Sequence, residues 1–128
     1  MIGLFLVTHG TLGEALIQCV CHVLDKRPPL LGQLGLSAAK DPADALPLAR
    51  RMIATVDEGD GVLLLADLYG ATPCNVATRL IEPGRIELVA GVSLPMLLRL
   101  LALSDFVAEA LIQSPAMLEE ILNEEIKF

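Results

Sequence analysis

A chain of 128 residues suits one domain with one core, near the middle of the usual range of roughly 100 to 150 residues. Its composition, 54% hydrophobic but 3% aromatic, calls for a core of Leu, Val, Ile and Ala, as in a sheet buried on both faces. The net charge of -7, with 9 scattered basic residues against 16 acidic ones, makes nucleic acid a poor partner. Mean hydropathy is +0.62, yet no apolar stretch approaches the roughly 18 residues of a membrane span.

The N-terminal apolar run has no basic flank before it and no small-residue cleavage site after it, so it reads as a strand rather than a signal peptide. The three cysteines include Cys19 and Cys21 in a helical pattern without a second ligand pair of zinc-site spacing, which points to reduced thiols. A cytoplasmic location, without membrane insertion, is the expectation.

Residues 2–7 form a continuous apolar run that stops at Thr8-His9-Gly10, the pattern of a buried parallel strand and a tight turn. Thr11 and Glu14 have capping-box spacing for a first helix, with Leu12, Ala15, Leu16, Cys19, Val20 and Val23 as its apolar face and an end near Asp25. Residues 30–36 predict a second strand, near an edge, weakened by Gly32 and Gly35. A second helix starts at Asp41 or Asp44. Pro47 favours Asp44, because it is harmless in a first turn and kinks a longer helix; Leu46, Ala49, Ile53 and Val56 form the stripe.

Residues 62–66 (VLLLA) are the strongest strand signal and end at Asp67. A loop then reaches Thr72-Pro73, an N-cap residue followed by the imino acid favoured at the first helical position, for a helix over residues 74–81. Residues 86–90 predict the fourth strand, and Gly91 to Pro95 repeat the pattern of loop and proline-started helix, running through residues 96–103. Ser104 can cap a helix to about residue 113, Ser114-Pro115 one to Leu122, and residues 124–128 read as a last short strand. With no repeat and no linker, residues 1–128 form a single α/β domain. The fold class is an open, doubly wound, mostly parallel sheet of four to five strands in the order 2-1-3-4, helices on both faces, any C-terminal strand being antiparallel.

In such sheets ligands bind beyond the carboxyl ends of the strands where the order reverses, here between strands 1 and 3. His9 follows strand 1 and Asp67 follows strand 3. A lone loop histidine is ordinarily just solvated, but this placement makes it a candidate nucleophile. A neutral imidazole attacks with one nitrogen while the other holds its proton, and a carboxylate accepting that hydrogen bond fixes the tautomer and steadies the cation formed. Thr72, at a helix start where free N–H groups favour an anion, is either a simple cap or part of a phosphate seat. Gly70 permits close backbone approach or is a plain turn. His22, mid-helix, and Cys74, beside Pro73, read as surface and packing residues. Neither nucleotide-binding glycine pattern nor any metal constellation occurs, so no cofactor is expected.

Three stretches resemble the enzyme IIA domains of the mannose-type branch (mannose, fructose, sorbose) of the bacterial sugar phosphotransferase system: residues 5–10 (FLVTHG), 66–77 (ADLYGATPCNVA) and 91–97 (GVSLPML). Thr8 stands where serine is usual, Tyr69 where phenylalanine is common, and Ala71-Thr72 where Gly-Ser is frequent, all keeping the needed groups. The resemblance implies a phosphotransferase in which His9 is phosphorylated by the phosphocarrier HPr and passes the group to a IIB partner. Asp67 then orients the ring, and Thr72 lies near the phosphate with Thr8, Gly10 and Gly70 around it. It also implies a homodimer, in many members with an exchanged C-terminal strand, and association with a membrane permease complex through its partners. Two alternatives stay open: a free-standing regulator whose phosphorylation state another protein reads, and a flavodoxin-like binder of a small anion. Histidine phosphatases need an arginine directly before the nucleophile, where Thr8 stands here.

Overall fold

Four short aliphatic runs become four parallel strands because each is closed by a turn and followed by a helix that carries the chain back. The computed structural model describes residues 1–37 and 41–103. In chain order the elements are β1 (Gly3–His9), α1 (Leu12–Leu24), β2 (Leu31–Leu36), α2 (Pro42–Thr55), β3 (Val62–Ala66), α3 (Thr72–Thr78), β4 (Ile86–Ala90) and α4 (Leu94–Ala102). The sheet order is β2-β1-β3-β4 with every pairing parallel, as the alternation of strands and helices predicts.

Strand period two divides the aliphatic residues between two cores. Leu4, Leu6 and Leu65 meet Ile17, Val20 and Leu24 of α1 and Leu97, Leu98 and Leu101 of α4 on one face. On the other, Phe5, Val7 and Leu64 meet Ala45, Leu46, Ala49 and Ile53 of α2 and Val76 and Ala77 of α3. Each large side chain so buried contributes about 1.5–3 kcal/mol. No helix among the described residues is long and apolar enough to cross a membrane.

Several local expectations change. The buried residues of α1 are Gly13, Ile17, Val20 and Leu24, whereas Leu12, Ala15 and Cys19 are exposed; the true face is turned toward the stripe that starts at Gly13. Thr11 occupies the N-cap position but makes no side-chain capping bond. That service comes from Thr8 in the preceding strand, whose Oγ1 accepts the Gly13 N–H at 2.8 Å. Helix α2 starts at Pro42, not Asp44: the Asp41 carboxylate caps it by accepting the Ala43 N–H at 2.9 Å, and Pro47 sits inside the helix on its exposed side. One lost ladder bond facing solvent is outweighed by a good cap and a proline at the first position.

Helix α3 also begins early. Ala71 is extended and caps it, which makes Thr72 the first helical residue rather than the cap. Helix α4 starts at Leu94 with Pro95 in its first turn, and Ser93 caps it, its Oγ accepting the Met96 N–H at 3.3 Å. The turn before β3 is held by Asp57, which accepts the Gly59 N–H at 2.8 Å and pairs with Arg85 at 3.1 Å. The helices expected after Ser104 and the strand expected over residues 124–128 lie outside the described residues.

Candidate active site

Parallel register builds the site. Val7 of β1 lies beside Ala66 of β3, where β3 ends and gives way to Asp67, while β1 runs on beside β2 as far as His9. From there α1 packs on one face and α3 on the other, which puts His9 and Asp67 at the switch point of the strand order.

Asp67 Oδ2 receives two hydrogen bonds from the same residue: His9 Nδ1 lies at 2.8 Å and the His9 backbone N–H at 3.0 Å. Its other oxygen accepts the Leu68 N–H at 3.0 Å. The Asp67 side chain is only 9% exposed, whereas that of His9 is 53% exposed. Burial alone pushes the Asp67 carboxyl up. The bonds from the His9 backbone and ring, the attraction of the imidazole, and the backbone of Asp67 itself outweigh burial and hold the carboxyl below its ordinary value. An ionised carboxylate only accepts, so the ring holds a proton on Nδ1 in this bond, and the neutral tautomer that fits it keeps the Nε2 lone pair free. The arrangement is a fixed, half-exposed imidazole on a buried carboxylate, a geometry suited to nucleophilic attack.

The loop behind it is equally fixed. Gly10 has φ +50°, donates its N–H to Leu36 O at 2.9 Å, and lays its carbonyl against Gly35, where a Cβ would stand 1.9 Å from the oxygen. Gly35 therefore does more than weaken β2: it makes room for the loop that carries His9. Sequence reading missed this, since only the register, which sets Thr8 beside Gly35, reveals it. Thr8 is fully buried, and its hydroxyl is turned to Gly13.

The other expected residues separate. Gly70 has φ +81° and accepts a bond from Asn75 Nδ2 at 3.5 Å. Thr72 is exposed at the start of α3, at the same end of the sheet, and no hydrogen bond joins it to His9 or Asp67 among the described residues. Asn75 N–H to Ala71 O, at 2.9 Å, is the first bond of the α3 ladder, so the amides of Thr72 and Cys74 precede that ladder. His22 is exposed in the last turn of α1, remote from the site, and Cys74 is buried as a packing residue. Near in sequence to His9 and Asp67, the apolar side chains of Leu12, Leu68 and Tyr69 are exposed. Among the described residues no group of three or more His, Cys, Asp or Glu is arranged to hold a metal.

Comparison with known proteins gives the family and the fold. The family model described as PTS system fructose IIA component matches residues 3–120. The PTS system mannose-specific EIIAB component of Escherichia coli (strain K12) is 28% identical over 105 residues, which are 81% of this chain and 32% of that relative. The PTS system fructose-specific EIIA component of Bacillus subtilis (strain 168) is 43% identical over 54 residues, 41% of this chain and 37% of that one. The chain thus matches about a third of the length of these relatives. The mannose/sorbose specific IIA subunit of the phosphotransferase system from Enterococcus faecalis shares the fold, with TM-score 0.70 at 23% identity over 97% of this chain and 91% of that one.

Proposed function

Because the chain belongs to the family described as PTS system fructose IIA component, we propose that it is a phosphoryl carrier that takes its group onto His9 from phospho-HPr and yields it to a IIB partner. The observation that carries this reading is the 2.8 Å contact from His9 Nδ1 to Asp67 beneath a half-exposed ring. In the transfer, the Nε2 lone pair bonds to phosphorus as the P–N bond of the donor phosphohistidine breaks and its electron pair returns to the donor imidazole. The Nδ1 proton stays in its bond to Asp67, whose charge stabilises the cation formed on His9. Such a transfer demands positioning and charge stabilisation more than covalent help from the protein.

Thr72 and the early amides of α3, with Gly70, are the proposed seat for the phosphoryl oxygens. Thr8 and Gly10 place the loop. The chain acts as one IIA domain over residues 1–128, in the cytoplasm, as a homodimer.

The test is direct. The purified protein incubated with phosphorylated HPr is expected to gain one acid-labile phosphate, and His9→Ala to gain none. Equal labelling of His9→Ala, or no labelling of the native protein, sinks the proposal. A IIB protein co-purifying from lysate is expected as the acceptor. A kinase or transcription regulator in its place would favour the signalling alternative.

A further inference from the structure

Beneath the half-exposed His9 lies Thr8, the one buried polar residue among the described residues. Its Oγ1 spends a lone pair on the Gly13 N–H, at 2.8 Å, and its own proton has no acceptor among the described residues. On the neighbouring strand β2, Gln33 Oε1 is buried without a hydrogen-bond partner among the described residues. An unused donor and an unused acceptor away from water each raise the free energy of the fold, so native proteins pair them. Here both flank one point: a Cβ built on Gly13 would stand 2.9 Å from Thr8 Oγ1 and 3.2 Å from Gln33 Oε1. Glycine at position 13 leaves that point open.

We infer that a rotation of the Gln33 side chain brings its Oε1 onto the Thr8 hydroxyl, which then donates to it, and that Gln33 is thereby a positioning residue for phosphoryl transfer at His9. The second half rests on the function proposed above. The resulting chain of bonds runs from β2 through a β1 hydroxyl to the backbone of α1, and it spans the segment His9-Gly10-Thr11. Thr8 before the loop and Gly13 after it are tied to one side chain of β2, while Leu36 and Gly35 of the same strand seat Gly10. Asp67 of the β3 side fixes the ring; β2 fixes the backbone that bears it. Gln33 touches neither the phosphoryl group nor the imidazole. It acts through placement, where an error of about 1 Å costs on the order of a hundredfold in rate.

The experiment uses the full chain, with Thr8→Val, Gln33→Leu, their double variant and Thr8→Ser. Uptake from phospho-HPr is followed against donor concentration, and the Thr8 hydroxyl proton by NMR. Each of the first two variants is expected to lower the maximal rate about three- to tenfold at unchanged KM. The double variant should be no slower than the slower single one, and Thr8→Ser should stay within about twofold of native. The native protein should show a slowly exchanging hydroxyl proton near the Gly13 amide that disappears in Gln33→Leu. A native rate in Gln33→Leu, rate losses that multiply in the double variant, or a hydroxyl signal unchanged by Gln33→Leu would each overturn the inference. If the native protein takes no phosphate at all, the proposed function fails, and the hydroxyl signal still decides the bond: its loss in Gln33→Leu keeps it, its persistence removes it.

Discussion

Asp67 binds His9 twice with one oxygen, and the two bonds have separable consequences. The backbone bond sets where the loop leaves the sheet, and the ring bond sets which nitrogen holds the proton. In Asp67→Asn the amide NH₂ can face Nδ1 and drive the ring proton to Nε2, where it blocks attack. Uptake from phospho-HPr is then expected to fall by about a hundredfold or more, and ¹⁵N NMR of the His9 ring to show the proton moved. Asp67→Ala should slow the reaction without abolishing it, and an unchanged rate in either variant would remove Asp67 from the mechanism. Both residues are legible in the sequence because each stands within two residues of the end of an apolar run, which marks a strand end. Gly35 and Gln33 are not, because what they touch depends on which strand lies beside which, and in what register.

At the level of elements, the sequence shows that helices start after Gly10, at Asp41 or Asp44, and within Gly91 to Pro95, but not all of the groups that hold them. Thr11 looks like the cap of α1 by spacing alone. The structure gives the role to Thr8, because the strand brings its hydroxyl back over the first turn. Thr11→Ala should therefore change the unfolding free energy by less than about 0.5 kcal/mol, while Thr8→Ala should cost about 1–2 kcal/mol, both read by urea denaturation. Equal effects would return the cap to Thr11. Gly35→Ala is harsher: its Cβ would meet the Gly10 carbonyl 1.9 Å away, so strand or loop must move. A loss of about 1–3 kcal/mol and slower uptake are expected. The start of α2 has the same root: Pro47 is tolerated inside the helix because it faces solvent, which spacing alone does not reveal.

For the molecule as a whole, the sheet order was legible from strict alternation of strand and helix, and the two-faced burial from the near absence of polar residues in the strands. How the halves are tied was not. Asp57 joins the α2–β3 turn to Arg85 at the start of β4, and bonds from Gly59, then Gly61 and Arg85, hold its carboxyl below the ordinary value despite some burial. Asp67 is lowered too, the bonds from His9 outweighing its burial. Groups lowered by folding stabilise the native state fully above their unfolded value, about 4, and lose that contribution as pH falls through the folded value. From these two residues the unfolding free energy should be level between about pH 5 and 7 and decline below about pH 4, with a shallower decline in Asp57→Asn. A decline of native slope in that variant would show that the turn is not held by its charge.

The proposed carrier role requires that the fold present His9 Nε2, and not Nδ1, to a phosphoryl donor. The most direct measurement is the site of phosphate on the protein after reaction with phospho-HPr, read by ³¹P and ¹⁵N NMR. One phosphoryl group on Nε2 of His9 is the predicted result, and phosphate on Nδ1, on another residue, or on none would contradict it.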